Sequence, residues 1–110
     1  LRVARTKKLN EVILKEDLGP EFDEWLKGLR DDLTQKRLIA RLRKAQLGNL
    51  GDVKAVGASV FEMREFFGPG WRMYFARRGD VLIVMLGGGD KSTQAADIKV
   101  ALERAKRLVE

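Results

Sequence analysis

Two arginines, one glutamate and the only tyrosine of the chain alternate with apolar residues around a Gly-Pro-Gly turn. In the stretch FEMREFFGPGWRMYF (61–75), taken with the two-residue period of a β-strand, one side carries Glu62, Arg64, Arg72 and Tyr74. The other side carries apolar residues, namely Phe61, Met63, Met73 and Phe75. Guanidinium forks bind phosphate oxygens at two points, so the polar side predicts an anion-binding surface.

The spacing between strands determines how these charges interact. Neighbours on adjacent strands have Cβ atoms about 4.5–5.5 Å apart, so two arginines repel each other there unless an anion lies between them. That anion is either Glu62, in a surface salt bridge worth about 0–1 kcal/mol, or the phosphate of a ligand. Two further cations favour the phosphate-binding interpretation: Lys54 lies on a neighbouring predicted strand, and Lys91 follows the last one.

Composition narrows the chemistry that this surface can perform. The chain has 110 residues, no cysteine and no histidine, which removes thiolate and imidazole as nucleophile, general base or metal ligand. We therefore expect neither a metal nor a cofactor. Lys and Arg exceed Asp and Glu by 22 to 16, and the net charge of +6 favours a polyanionic partner such as nucleic acid. The lack of cysteine is typical of a cytoplasmic protein, and no apolar run suggests a membrane partner.

Apolar periodicity and turn residues predict one α+β domain over residues 10–110, preceded by a loose tail at 1–9. The predicted order is strand, two helices, four strands and a closing helix, with a mainly antiparallel sheet. The predicted strands are 10–15, 53–56, 59–67, 71–77 and 81–86, and the predicted helices start near Pro20 and cover 34–47 and 93–109. In so small a domain we expect helices on one face of the sheet only, which would leave the polar side of 61–75 open.

The second predicted helix carries cations of one sign. Its predicted buried stripe is Leu38, Ile39, Leu42 and Ala45. The rest of its surface carries Lys36, Arg37, Arg41, Arg43 and Lys44, with no acidic residue between Leu33 and Gly51. This positively charged arc of the helix surface is either an ordinary solvated face or a surface that binds nucleic acid electrostatically. In the second case Arg37, Arg41 and Lys44 are the candidate RNA-binding residues.

The two tryptophans are predicted to be core residues rather than stacking platforms for bases. Trp25 belongs to an apolar stripe with i, i+3, i+4 and i+7 spacing on the first helix. Trp71 has the same strand parity as the apolar Met73 and Phe75. Large aromatic side chains at such positions usually anchor a core.

Several short motifs resemble those of one protein family. They are the Asp-Asp pair at 31–32, GNLGDVK (48–54), EMR (62–64), GPGWRMYF (68–75) and GGDKSTQAADI (88–98). From about residue 10 onwards, the chain resembles the RelE/ParE superfamily of bacterial toxins, and within it the HigB-like addiction module killer proteins. The resemblance implies the RelE-like fold with the element order predicted above. It also implies a toxin that a helix-turn-helix antitoxin holds inactive.

The same resemblance implies an activity and roles for individual residues. RelE-type toxins bind the ribosomal A site and cut mRNA there, the ribose 2′-hydroxyl attacking the adjacent phosphate. By this likeness Arg72 would hold the scissile phosphate, Arg64 would share that role, and Lys91 would supply a second basic group. Tyr74 would stack on a base or donate a proton. Three side chains are candidates for the general base, namely Glu62, Lys54 and Lys91.

Two departures from the RelE pattern leave other functions open. RelE has lysines on the strand before the turn, where this chain has Val60 and Glu62. RelE also has a tyrosine in its C-terminal segment, and no tyrosine follows Tyr74 here. One alternative is therefore a ParE-like toxin that inhibits DNA gyrase without RNA chemistry. The other is a non-catalytic RNA-binding relative.

Overall fold

The computed structural model describes residues 19–78 and 82–108, which form an α+β unit. The helices are α1 (Pro20–Lys27), α2 (Asp32–Gln46) and α3 (Gln94–Lys106), and a short 3-10 turn, Lys91–Thr93, precedes α3. The strands are β1 (Val53–Gly57), β2 (Val60–Arg64), β3 (Trp71–Arg78) and β4 (Leu82–Asp90). The predicted strand at 10–15 and the predicted tail at 1–9 lie outside the described residues. The described part therefore runs as two helices, four strands and a helix.

Helix α2 begins two residues earlier than the pattern predicts because an aspartate caps it. Asp31 takes the N-cap position, and its carboxylate accepts hydrogen bonds from the Thr34 amide (3.3 Å) and the Thr34 hydroxyl (2.7 Å). A side-chain acceptor here satisfies an amide that the first helical turn leaves without a partner. The Asp-Asp pair thus starts the helix rather than only interrupting the chain.

The four strands form an antiparallel meander in the order β1-β2-β3-β4. In the β2–β3 pair, Glu62 lies opposite Tyr74 and Arg64 lies opposite Arg72. Directly opposed residues of an antiparallel pair project to the same face of the sheet. The predicted strand parity is therefore confirmed: these four side chains share one face.

The opposite face packs on α1 and α2. The buried residues of this layer are Phe22, Leu26, Leu38, Leu42, Ala45, Met63, Met73, Phe75 and Met85. Phe61, Trp25 and Trp71 pack against this cluster, which confirms that the two tryptophans belong to the core. Ile39 is exposed, so its predicted place in the buried stripe of α2 was wrong.

The face that carries Glu62 and Tyr74 is not open, and the prediction of helices on one side only was wrong. Helix α3 covers it, and a second core cluster lies beneath that helix: Val60, Tyr74, Ala76, Leu86, Ala101 and Ala105. The apolar stripe of α3 needs a surface to bury, and the first face is already occupied by α1 and α2. The domain therefore has three layers, with the sheet in the middle.

The turn pattern predicted that the glycine run at 87–89 would end the last strand. The run instead lies inside β4. A Cβ atom added to Gly88 would lie 2.5 Å from the ring of Trp25, and one added to Gly87 would lie 2.8 Å from Nη1 of Arg104. The rigid Trp25 ring leaves no room for a side chain at Gly88, so glycine lets α1 approach that face of β4 closely, whereas the end of the Arg104 side chain could shift to admit one at Gly87. The run is a packing feature of the sheet.

Candidate nucleic-acid interface

Arg64 and Arg72, the arginine pair, lie side by side where β2 and β3 approach the Gly-Pro-Gly turn. Arg64 is the more accessible of the two, with 31% of its side chain exposed, whereas Arg72 has 7%. The arginine pair is therefore partly buried at the end of the sheet. A ligand would meet Arg64 at the surface and Arg72 beneath it.

Arg72 is fixed by acceptors on several sides. Its Nη1 donates to the carbonyl oxygens of Glu65 (3.0 Å) and Trp71 (3.1 Å). Its Nε lies 3.8 Å from Oε1 of Glu62, a carboxylate with no exposed area. These contacts hold the guanidinium in one orientation, so a ligand would meet a preorganised cation.

Arg64 is paired with an acceptor that is itself accessible. Its Nη2 donates to Oδ1 of Asp52 at 2.9 Å. This hydrogen bond holds the pKa of the Asp52 carboxyl below its ordinary value and raises the pKa of Arg64. Because both side chains are partly exposed, this ion pair contributes little to stability.

Three buried N–H donors at this end of the sheet have no hydrogen-bond partner within the described part of the chain. They are Nε of Arg64, Nε of Arg72 and Nε1 of Trp71. A buried polar group without a partner costs free energy, and native proteins leave few of them. Two of the three belong to the arginine pair. The Nε of Arg72 lies 3.8 Å from Oε1 of Glu62, a buried oxygen that also lacks a hydrogen-bond partner among the described residues, so within the arginine pair the Nε of Arg64 is the donor without a nearby anion.

Glu62 and Tyr74, predicted on an open face, are fully buried beneath the start of α3. The Tyr74 hydroxyl donates to Oε2 of Glu62 at 3.0 Å, and Nε2 of Gln94 donates to the same oxygen at 2.9 Å. Burial, followed by the charge of Glu62 and this hydrogen bond, raises the pKa of Tyr74 well above its ordinary value of 10.0. A phenol held this firmly in its protonated form acts as a donor to Glu62, not as a base.

The raised pKa of Tyr74 predicts a loss of stability at alkaline pH. Below pH 10.0 the phenol is protonated in both the folded and the unfolded chain. As pH rises above that value, only the unfolded chain releases the proton, so the free energy of unfolding falls. Urea titrations at increasing pH should show this decline, and Tyr74→Phe should flatten it. Because the chain has one tyrosine, tyrosinate absorbance reports the group directly; ordinary titration of the native protein near pH 10.0 would contradict the prediction.

Phe66 is a site residue that the strand pattern did not identify. It lies just beyond β2, with 73% of its surface exposed. Its ring centroid lies 5.8 Å from the Arg64 guanidinium carbon and 5.9 Å from that of Arg72. The two adjacent phenylalanines before the Gly-Pro-Gly turn were the available signal.

Arg37 and Lys91 are two further cations near this site. Arg37 is exposed and stacks on Phe67, its guanidinium carbon 3.7 Å from the ring centroid. Lys91 is exposed next to Gly70, where an added Cβ would lie 3.3 Å from the Lys91 Cβ and 3.5 Å from Nη1 of Arg72. We use the name cationic rim for the whole set: Arg37, Arg64, Phe66, Arg72 and Lys91.

Arg41 was predicted on the solvated arc of α2. Its side chain instead turns inward, so the predicted position was wrong. Its guanidinium donates to backbone carbonyl oxygens at 2.7–3.2 Å and pairs with the carboxylate of Glu65; the carbonyls are those of Leu50, Asp52 and Arg64. A carbonyl oxygen can accept more than one hydrogen bond, and the Arg41 guanidinium supplies several donors at once. It therefore ties α2 to the backbone that carries the arginine pair.

Lys44 and Lys54 complete the predicted set, and both are exposed. Lys54 lies opposite Glu62 in the β1–β2 register, on the α3 face at the edge of the sheet. Lys44 is on α2, three residues beyond the inward-turned Arg41. No grouping of three or more acidic residues that could hold a metal ion occurs in residues 19–78 and 82–108. In these same ranges, no helix is both long and apolar enough to cross a membrane.

Comparison with known proteins places the chain in a family. The model of the phage-derived protein Gp49-like family (DUF891) matches residues 24–110. An uncharacterized protein of Haemophilus influenzae is 42% identical over 87 residues, covering 79% of this chain and 88% of that relative. No solved structure matches. The matched family is associated with toxin–antitoxin modules and related to RelE-like toxins. The chain thus belongs to the Gp49-like family of phage-derived proteins.

Proposed function

We propose that this protein is the toxin of a type II toxin–antitoxin module and that it inhibits translation as a HigB-like, RelE-type mRNA endonuclease. One observation carries the proposal: Arg64 and Arg72 are opposed on adjacent strands at a partly accessible end of the sheet, and Arg64 has a buried Nε without a partner among the described residues. Two guanidinium forks at this spacing match the oxygens of a phosphodiester. The net charge of +6 favours the approach of a polyanion. Such a toxin acts in the cytoplasm, where its mRNA substrate is on the ribosome.

The chemistry requires no metal and no cofactor. The ribose 2′-hydroxyl loses its proton and its oxygen attacks the adjacent phosphorus, forming a 2′,3′-cyclic phosphate. The bond from phosphorus to the 5′-oxygen breaks, and that oxygen gains a proton to become a free 5′-hydroxyl. Negative charge accumulates on the phosphate oxygens in the transition state, and the arginine pair is oriented to stabilise it.

Exposure distinguishes the candidates for proton transfer. Glu62 has no exposed area and its Oε2 already accepts two hydrogen bonds, so we assign it the role of orienting Arg72. Lys91 is exposed beside Arg72. Lys54 is exposed at the neighbouring strand edge. We assign the proton transfers to these lysines, Lys91 first because of its proximity to Arg72.

An antitoxin is the expected protein partner, because the matched family is associated with toxin–antitoxin modules. We propose a small helix-turn-helix protein whose acidic segment covers the cationic rim. Neutralising those side chains would block the approach of phosphate. Co-expression should then restore growth to cells that make the toxin, and reversing charges of the acidic segment should remove that protection.

Primer extension on mRNA from cells induced to make the protein separates the candidate functions. The proposal predicts new 5′ ends in register with codons, within translated regions only, and their loss when translation is stopped by removal of the start codon. Intact transcripts together with an SOS response would overturn it in favour of a ParE-like gyrase inhibitor. Normal growth and intact transcripts would instead indicate a non-catalytic RNA-binding relative.

A further inference from the structure

We infer that Phe66 is a stacking platform for one nucleobase of single-stranded RNA, adjacent to the phosphate that the arginine pair binds. This inference rests on the proposed function and deepens it, because it assigns a base-recognition position next to the scissile phosphate. The chain has five phenylalanines, and the other four are buried in the α1–α2 core cluster or half-buried and packed against it. Phe66 alone among them directs most of its ring to solvent.

The backbone around Phe66 is held in place, so the exposed ring is not simply a loose side chain. The Glu65 amide donates to the carbonyl of Trp71 at 2.9 Å, and the Gly70 amide donates to the carbonyl of Phe67 at 3.1 Å. The next residue, Phe67, packs against the α1–α2 core cluster beneath the guanidinium of Arg37. A rigid aromatic ring loses little conformational entropy when a ligand stacks on it.

The charges beside the ring identify the ligand. Both members of the arginine pair lie within 6 Å of the Phe66 centroid, inside the range of a cation–π contact. A nucleotide combines a flat aromatic base with a phosphate. The site offers the complementary groups, namely an aromatic ring for the base and cations for the phosphate. An apolar protein partner would leave the arginines without acceptors, so the observations favour a nucleic-acid strand.

A single-stranded ligand is required because the base must be unstacked to reach the ring. Bases in a duplex are covered on both faces, whereas unpaired bases are free to stack on aromatic side chains. Every base has a π-face, so Phe66 would contribute affinity and register more than sequence choice. Arg37, on the far side of Phe67, would contact the strand one or more nucleotides further along.

The test is a fluorescence titration with a short single-stranded RNA that contains 2-aminopurine and 2′-O-methyl riboses, which cannot be cleaved by 2′-hydroxyl attack. Binding to the wild-type protein should quench the base analogue. Phe66→Leu keeps apolar bulk but removes the aromatic face, and we expect it to weaken binding about 5- to 100-fold and abolish the quenching. Phe66→Trp should retain both. Leu47→Ala, which alters a comparably exposed side chain (64%) at the end of α2, should bind as the wild type does.

The outcomes separate this inference from the proposed function. Equal affinity and quenching for Phe66→Leu and the wild type would overturn the stacking role, even if mRNA is cleaved. Failure of the wild-type protein to bind or quench the RNA would overturn it as well. Quenching that depends on Phe66 would support the inference even in a protein that breaks no mRNA, and only the endonuclease assignment would then fail. Circular dichroism of each variant shows that it is folded.

Discussion

Replacing Arg72 by alanine is expected to lower the rate of mRNA cleavage by about 10²–10³-fold, because a preorganised donor to the transition-state charge is lost. Cells that express the variant should grow normally without antitoxin. Arg72 is the better positioned of the arginine pair, since two carbonyl oxygens and Glu62 fix its orientation. The measurement is growth after induction, together with primer extension on a translated message.

Two further variants separate a chemical effect from a folding effect. Arg72→Ala leaves the buried Glu62 without its cation, which itself lowers stability. Arg72→Lys keeps a positive charge but has no planar fork, so it should fold and still lose most activity. Arg43→Ala removes another arginine, exposed on α2 and outside the cationic rim, and should remain toxic. A folded Arg72→Lys protein with wild-type cleavage would contradict the role of Arg72.

Glu62→Ala is expected to lower the free energy of unfolding by about 3–5 kcal/mol, because it leaves Arg72 as a buried charge without its partner. It also removes the acceptor of the Tyr74 hydroxyl and of Gln94. Total stabilities of small domains are about 5–15 kcal/mol, so this variant should unfold at markedly lower urea concentration or accumulate poorly. Urea denaturation followed by tryptophan fluorescence measures the change.

Two comparisons make the Glu62 prediction specific. Glu62→Gln keeps an oxygen acceptor and the side-chain volume, so it should lose much less stability than the alanine variant. Glu103→Ala removes a carboxylate whose ion pair with Lys106 is largely exposed, and it should cost about 0–1 kcal/mol. If Glu62→Ala were no more destabilising than Glu103→Ala, the buried network would not be the support of Arg72.

Strand parity was predictable because it depends on local geometry alone. The alternation around the Gly-Pro-Gly turn placed Glu62, Arg64, Arg72 and Tyr74 on one side, and the β2–β3 register confirms it. The two-residue period holds for any strand, so the parity does not depend on the strand ends, which the turn residues placed at Phe67 and Leu86 and the structure places at Arg64 and Asp90.

What covers each face was not predictable from that alternation. The pattern of α3 shows that the helix buries a stripe, but it does not say which face of the sheet receives it. Assuming one helical layer left Glu62 and Tyr74 in solvent, whereas α3 buries both and turns them into a support for Arg72. Polar residues are accommodated on the covered face because Tyr74 and Gln94 both donate to Oε2 of Glu62.

Residues without a periodic signal were also missed. The glycines at 87–89 carry no side chain to show a parity, and their use became apparent only from the ring of Trp25. Arg41 looked like its charged neighbours on α2, because nothing in a helical pattern indicates that loop carbonyls lie within reach of one of them. Phe66 falls in the turn, where neither the strand period nor the helix period applies.

The proposed function requires that the arginine pair binds an RNA phosphate. The sharpest test is NMR of the arginine side-chain Nε–H groups during titration with non-cleavable single-stranded RNA. We predict that the Nε–H resonances of Arg64 and Arg72, assigned with Arg64→Lys and Arg72→Lys variants, shift strongly as their guanidinium groups acquire phosphate acceptors. The resonance of Arg43 should not move. Saturation with RNA while the Arg64 and Arg72 resonances stay in place would contradict the account.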